Sequence, residues 1–250
     1  RREKSEVSPE HPLFEAQGGG NFKADPAHGI FDDAPPPERP PFRTALQPEI
    51  FRSTRAVTSP ILDFLLTRNS APIPELREPA PSDAEIETML RAATRVPDHG
   101  RLEPWRFILY RGDVRIEIGK KLATLAEKRE GPLPEGRRNQ ELARFSRAPL
   151  VIGVVSSPKE NPKIPQWEMF LSGGMAAMNL ITAANALGYG TNMITNWYSD
   201  NEEGRALLGL APHERVVGFI HIGSYDGSAP ERPRPEVSRL YSDYSGPWEG

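Results

Sequence analysis

The chain has 250 residues, a formal net charge of −3 at pH 7 and no cysteine. Without cysteine it can form no disulfide, thiolate metal site or cysteine nucleophile, which fits a reducing, cytoplasmic location. The slightly acidic charge gives no general attraction to nucleic acid or to an anionic membrane. None of the five histidines pairs with another at metal-ligand spacing, so we expect no metal centre and a small molecule or another protein as partner.

Residues 1–55 are rich in proline, glycine and charge, with glycines at 18–20 and prolines at 35–37. Apolar residues occur there only singly, so the segment cannot bury enough surface to offset the entropy of ordering it. We predict an extended or disordered N-terminal arm over residues 1–55. The folded domain is expected over residues 56–250.

Predicted helices and strands alternate along the folded part. Apolar periodicity, caps and breakers predict helices from residue 59 or 60 to about 68–70 and at 82–94, 113–130, 137–147, 167–187 and 201–208. The helix at 137–147 is expected to be exposed. Short apolar runs bounded by proline or glycine predict strands at 107–110, 151–155, 192–195 and 215–223. This alternation indicates a sheet flanked by helices rather than a sandwich.

The predicted helix at 167–187 is apolar around almost its whole circumference. Such a helix should be buried on all sides, through a core or at a subunit interface. Small residues at 173–177 would let another helix approach closely, which favours a dimer interface. The helix is long enough to span a bilayer, but Asn179, Thr182 and Asn185 interrupt its apolar surface and disfavour that alternative.

The stretch RVPDHGRLEPWRF, residues 95–107, is the most informative in the chain. Pro97 ends the preceding helix, Gly100 favours a turn, and Arg95, Asp98 and His99 concentrate polarity between a helix and a strand. Short polar loops between rigid elements commonly hold ligands, because their backbone groups remain free to bond. The alternative is a solvated connector with an arginine at the helix end.

Motifs of the common catalytic classes are missing from the sequence. It contains no nucleophile elbow, P-loop or zincin motif, and the turn at 188–190 is too short for a dinucleotide fingerprint. Glu168 could act as an acid or a base, although acids in a first helical turn are often simply favourable with the helix dipole. If the chain is an enzyme, we expect a bound organic cofactor to carry the reaction.

Five segments between Pro60 and Gly223 resemble, in order, the FMN-dependent nitroreductase family. They are LLTRNS, RVPDHGRLEPWRF, IPQWE with SGGMAAMNL, GYGTNMIT and VVGFIHIG. The R-x-P-D-H loop followed by Pro-Trp is the specific one, and it is typical of a short bacterial subgroup. The resemblance implies an α+β, three-layer fold whose central sheet is mixed but mainly antiparallel. It also implies a domain-swapped or intertwined homodimer with two FMN sites at the interface.

What the resemblance implies about activity is a ping-pong transfer of electrons from NAD(P)H to nitroaromatic, quinone or similar acceptors. FMN would carry the chemistry, so no residue is expected to be catalytic. Asn69 departs from the family's basic residue, which would make the anionic reduced flavin less stable if the side chain faces the ring. The implied FMN-binding residues are Arg68, Asn69, Ser70, Arg95, His99, Met193, Ile194, Thr195, Arg232 and Arg234. For the last two, a solvated tail is the alternative.

Two further functions remain open at this stage. One is a flavin enzyme of the same fold with a different outcome, such as reductive dehalogenation or flavin fragmentation. Those relatives use lid segments, and residues 131–138 look short for a lid. The other is a flavin-binding sensor or scaffold with vestigial activity, in which the N-terminal arm recruits a partner.

Overall fold

The computed structural model describes residues 59–227, 229, 231–244 and 246. The predicted N-terminal arm at 1–55 lies outside the described residues, as do the first three residues of the predicted domain.

The centre of the fold is a four-stranded sheet. Its strands are β1 (Trp105–Arg111), β2 (Leu150–Ser156), β3 (Tyr189–Ile194) and β4 (Arg215–Ser224). They lie in the order β1-β2-β4-β3, and every neighbouring pair is antiparallel. The four predicted strands are confirmed. The parallel pairing that would make the sheet mixed does not occur among the described strands.

The described residues contain seven α-helices. They are α1 (Pro60–Thr67), α2 (Asp83–Ala93), α3 (Val114–Glu130), α4 (Glu135–Leu142), α5 (Gln166–Ala186), α6 (Trp197–Asp200) and α7 (Glu202–Leu207). The six predicted helices are confirmed in position. However, α4 begins inside the predicted loop at 131–138, and α6 was missed because four residues are too few to show a helical period.

The strong N-terminal signal of α2 illustrates how sequence sets local structure. Ser82 and Glu85 form a capping box, in which Glu85 N donates to Ser82 Oγ and Ser82 N donates to the Glu85 carboxylate at 2.8 Å. The Tyr189 hydroxyl also donates to Glu85 at 3.0 Å. These hydrogen bonds, those from Ser82 foremost, lower the pKa of Glu85. The first turn of α2 is thereby joined to the start of β3.

Alternating strand residues divide the core into two layers. On the α5 face, Leu150, Ile152 and Ile220 pack with residues of α2 and α5. On the α3 face, Val151 and Phe219 pack with α3, α6 and the chain after α7. Because successive side chains of a strand point to opposite sides, this division follows from the sequence period of two. The predicted three-layer, helix-flanked arrangement is confirmed.

Charged and polar groups are buried on the α3 face. The Glu141 carboxylate is fully buried, binds the guanidinium groups of Arg137 and Arg144, and accepts from Trp197 Nε1 at 3.2 Å. Residues 137–147 were predicted as an exposed helix, so that expectation is wrong for Glu141. His221 is also fully buried, with Nε2 3.1 Å from the Arg144 carbonyl oxygen.

Within the described residues α5 is not buried on all sides, so the alternative that it runs through the core of one chain is wrong, and the alternative of a subunit interface stays a prediction. One side packs on the sheet, but another side carries large apolar residues that are 38–55% exposed: Trp167, Phe170, Leu171, Met175 and Met178. A single sheet layer can cover only one side of a helix, so this apolar side faces outward. Among the described residues, no helix has the combination of length and apolarity required to cross a bilayer.

Candidate functional site

The loop after α2 is held against α5 by polar side chains. We call residues 95–103 the site loop. Glu168, Ser172 and Asn179 bind it, and their spacing of four and seven residues places them on one side of α5. Six of its nine residues are exposed, so the loop is anchored to α5 and also in contact with solvent.

Ser172 and Asn179 bind the backbone of the site loop. Ser172 Oγ donates to the Pro97 carbonyl at 2.7 Å and accepts from Trp105 Nε1 at 3.0 Å. Asn179 Nδ2 donates to the carbonyl oxygens of Ala92 at 3.2 Å and Arg95 at 3.1 Å. The Ala92 carbonyl also accepts from Arg95 N at 3.0 Å, so Asn179 joins α5 to a helix end that is already hydrogen-bonded. Sequence reasoning missed both residues.

Asp98 shapes the second half of the site loop. Its carboxylate accepts from the backbone N–H groups of Leu102 at 3.1 Å and Glu103 at 2.9 Å. Arg101 and Glu103 have φ angles of 52° and 48°, a region that costs energy for side chains other than glycine. Two hydrogen bonds to one carboxylate offset that strain. The aspartate before Gly100 is the sequence signal that could have predicted this turn.

Gly100 is required at its position for two reasons. Its φ angle is 71°, which favours glycine. In addition, a Cβ placed there would lie 2.7 Å from Cδ1 of Ile164, in the segment before α5. The turn therefore packs directly on the chain that leads into α5, next to His99.

His99 and Glu168 form an ion-pair contact at the open side of the site loop. His99 Nδ1 lies 2.7 Å from Glu168 Oε2, and the two side chains are 64% and 31% exposed. His99 Nε2 has no hydrogen bond to any described residue. Glu168 therefore contacts a specific side chain, in addition to the favourable interaction with the helix dipole that the sequence indicated.

The 68–70 segment lies beside the edge strand β3. Directly after it, Ala71 N donates to the Thr191 carbonyl at 2.9 Å, and Asn192 Nδ2 donates to the Ala71 carbonyl at 2.7 Å. These contacts place Arg68, Asn69 and Ser70 next to the half of β3 that contains Met193 and Ile194 and leads to Thr195. The structure therefore brings two parts of the predicted site together.

Arg68 contains a buried donor without a partner. Its Nε atom is inaccessible to solvent and makes no hydrogen bond among the described residues. Buried polar atoms nearly always have a partner, so such an atom is a candidate for ligand binding. A guanidinium group is well suited to phosphate oxygens. The residue therefore fits the predicted role in holding an anionic group.

The C-terminal tail meets the 68–70 segment at Asn69. Asn69 Nδ2 donates to Glu231 Oε2 at 2.8 Å, and Arg234 Nη2 donates to Asn69 Oδ1. Arg234 Nε also donates to Glu231 Oε1 at 2.9 Å. The hydrogen bond from Asn69 is the main reason that the pKa of Glu231 is lowered. Asn69 is thus engaged with the tail, and the structure gives no support to its side chain facing a flavin ring.

The predicted site residues fall into two groups within one chain. The first group comprises Arg95 and His99 on the site loop. The second comprises the 68–70 segment, residues 193–195 at the end of β3, and Arg234 of the C-terminal tail. No hydrogen bond or ion pair of the described residues joins the site loop to the 68–70 segment. Arg232 makes a backbone hydrogen bond to Glu231 but no side-chain hydrogen bond or ion pair within the described part of the chain. In these same residues, no cluster of three or more histidines or acids has the arrangement of a metal site.

Comparisons with known proteins identify the family. The model of the nitroreductase family matches residues 76–224, more than half of the chain. The protein named "Putative NAD(P)H nitroreductase YdjA" of Escherichia coli K12 is 33% identical over 167 residues, which are 65% of this chain and 87% of YdjA. The chain therefore belongs to the nitroreductase family.

Solved structures show the same fold. A nitroreductase-like protein of Bacillus cereus matches with a TM-score of 0.62 at 23% identity, over 76% of this chain and 98% of its own. A nitroreductase of Bacteroides fragilis with bound FMN matches with a TM-score of 0.57 at 18% identity, over 75% and 100%. Iodotyrosine deiodinase bound to FMN and 3-iodo-L-tyrosine matches with a TM-score of 0.53 at 19% identity, over 74% and 99%.

Proposed function

We propose that this protein is an FMN-dependent oxidoreductase that takes a hydride from NAD(P)H and passes electrons to nitroaromatic, quinone or similar acceptors by a ping-pong mechanism. The observation that carries the proposal is the buried, unpartnered Arg68 Nε beside β3, at a position where the family resemblance implies FMN. Family membership, the name of YdjA and the FMN bound to the B. fragilis neighbour support it.

The residues that would hold FMN are those of the two groups. Arg68 would donate to the phosphate or the ribityl chain, and Ser70 would donate a hydroxyl hydrogen bond. Met193, Ile194 and Thr195 would lie along the flavin. Arg95 and His99 would approach from the site loop, and Arg232 and Arg234 would complete the phosphate pocket from the tail. When bound, FMN accepts and returns the hydride, so the chain needs no nucleophile.

The chain itself would contribute orientation and charge. Guanidinium groups stabilise both the phosphate and an electron-rich ring, because charge-assisted hydrogen bonds are about twice as strong as neutral ones. Arg234 has part of its charge neutralised by Glu231, whereas Arg68 Nε has no partner among the described residues. We therefore assign the larger share of phosphate binding to Arg68.

We propose a homodimer as the active form. The outward apolar side of α5 needs a cover, and the two groups of site residues are not joined within one described chain. A second copy placed on α5 would supply the site loop of one subunit to the 68–70 segment of the other. The proposed location is the cytoplasm, in keeping with the lack of cysteine.

A nitroreductase-type outcome is favoured over dehalogenation or flavin fragmentation. The deiodinase neighbour establishes that the fold can serve a different reaction, but its similarity extends to the fold alone. Between α3 and α4 the chain has only residues 131–134, which leaves no room for a lid at that place. Product analysis after aerobic turnover would separate these outcomes.

Flavin binding provides the direct test. The purified full chain should be yellow or take up FMN, and it should bleach anaerobically with NADH or NADPH. Arg68→Ala should weaken FMN binding about 10- to 100-fold, because a hydrogen bond to a charged group is worth about 1.5–3 kcal/mol. Arg91→Ala, which removes an exposed arginine of α2, should leave FMN affinity unchanged. A chain that neither takes up FMN nor oxidises either nicotinamide would contradict the proposal.

A further inference from the structure

We infer that Glu168 positions His99, and that His99 Nε2 delivers the proton that reduction of the acceptor consumes. The inference rests on the proposed function and adds to it two residues with assigned roles in the second half-reaction. It starts from the contact between His99 Nδ1 and Glu168 Oε2 at 2.7 Å.

The contact determines which nitrogen of His99 can exchange a proton. An ionised carboxylate can only accept hydrogen bonds, so Nδ1 carries a hydrogen that it donates to Glu168. Nε2 is therefore the atom that gains or loses the second proton of the ring. It has no hydrogen bond to the described residues, and the His99 side chain is 64% exposed, so solvent can reprotonate it.

Both ends of this contact are held in place. Glu168 lies in the first turn of the 21-residue helix α5. On the other side, the backbone around His99 is held by the bond from Ser172 to Pro97 and by the turn that Asp98 stabilises. The direction of Nε2 is therefore determined by two rigid supports and not by the rotamer preference of an exposed histidine.

A structural role for Glu168 explains the contact less well. Ser172 and Asn179 already hold the site loop through its backbone. A mostly exposed ion pair typically contributes only about 0–1 kcal/mol to folding, so Glu168 adds little stability. What the carboxylate does add is a defined tautomer and a defined orientation of the imidazole ring.

The chemistry of the acceptor requires such a proton. Reduction of a quinone to a hydroquinone takes up two electrons and two protons, whereas a hydride supplies two electrons and one proton. In the step assigned to His99, the Nε2–H bond breaks and an O–H bond forms on the acceptor oxygen. The electron pair of the broken bond stays on Nε2, the ring becomes neutral, and water then restores the proton. General acid catalysis of this kind typically contributes about 10²–10⁴-fold in rate.

The test compares Glu168→Ala, Glu168→Gln and the control Glu160→Ala, which removes an exposed acid close in sequence. Long-range ¹H–¹⁵N spectra of the full chain, labelled at histidine, report the tautomer of neutral His99, and His99→Asn assigns its signal. The wild type and Glu160→Ala should show the Nδ1–H form. Glu168→Ala should shift to mainly Nε2–H, and Glu168→Gln should retain Nδ1–H in part because its amide oxygen still accepts.

Kinetics give the second measurement. With a quinone as acceptor, kcat of Glu168→Ala should fall about 10- to 100-fold with little change in KM. Measured on FMN-saturated protein, the rate of its reduction by NAD(P)H should change far less than its rate of acceptor reduction, and Glu168→Gln should recover part of the loss. If Glu168→Ala turns over at the wild-type rate, or if His99 has the same tautomer in this variant as in the wild type, this inference is overturned and the proposed function is not affected. A wild-type chain that does not oxidise NAD(P)H overturns the proposed function and this inference together.

Discussion

The two faces of the sheet bury polar groups in different ways. On the α5 face the core is apolar, and polar side chains of α5 bind the site loop at its rim. On the α3 face, by contrast, Glu141, Arg144 and His221 lie inside the core. Buried ionisable groups often indicate a functional site, but structural networks bury them as well. In this protein the most deeply buried charges, those of Glu141 and Arg144, pair with each other, and the proposed site is built from half-exposed groups on a rigid support.

Removal of Glu141 should give the largest loss of stability. Glu141→Ala leaves the nearly buried Arg144 guanidinium without its carboxylate, and breaking a buried ion pair costs about 3–5 kcal/mol. Denaturant unfolding measures this change. Glu117→Ala, which removes an exposed pair with Lys120, should change stability by less than about 0.5 kcal/mol. A loss below about 1 kcal/mol in Glu141→Ala would mean that the network is dispensable.

His221 should make stability depend on pH below neutrality. Burial lowers the pKa of His221 to about 4, whereas an ordinary histidine titrates near 6.5. Between these values the unfolded chain binds more protons, so the stability present above pH 6.5 is lost as the pH falls towards 4. The loss should reach about 3 kcal/mol.

Denaturant midpoints measured between pH 7 and pH 4.5 test this dependence. Another acid-sensitive group, Glu214, titrates lower, because hydrogen bonds from Arg106 reduce its pKa to about 2. In His221→Gln the slope over this range should become clearly flatter than in the wild type. An equal slope in both proteins would assign the acid sensitivity to other groups.

Ser172→Ala should affect the α5 face with a smaller cost in stability. The substitution leaves the Trp105 indole N–H and the Pro97 carbonyl without their partner, which costs about 1–3 kcal/mol. Unlike Glu141→Ala, it should also weaken FMN binding, because the loop that carries Arg95 and His99 loses one of its supports. Thr182→Ala is the matched control, since Thr182 bonds only within α5. Unfolding and FMN titration of both variants would show whether FMN binding depends on the hydrogen bonds between α5 and the site loop.

Much of the fold was predictable because its signals are local. The buried run of β2 and the capping box of α2 each lie within one short stretch of sequence. The predicted ends of the helices and strands were less accurate. The apolar run at 107–110 predicts a short strand, but pairing with β2 extends β1 to Trp105 at one end and to Arg111 at the other. The FMN-binding residues came from a family resemblance and remain predictions.

By itself, the sequence determined the order of the elements, a sheet flanked by helices and the family, because periodicity, caps and motifs are properties of neighbouring residues. The antiparallel direction of every neighbouring strand pair came from the structure, since the family resemblance implied a mixed sheet. Only the tertiary structure decided what holds the site loop. Glu168 meets His99 across 69 residues of sequence, Ser172 meets Pro97 across 75, and Asn69 meets Glu231 across 162. Such contacts depend on how α5 crosses the end of α2 and on where the tail returns. No local pattern encodes a hydrogen bond between side chains that only packing brings together.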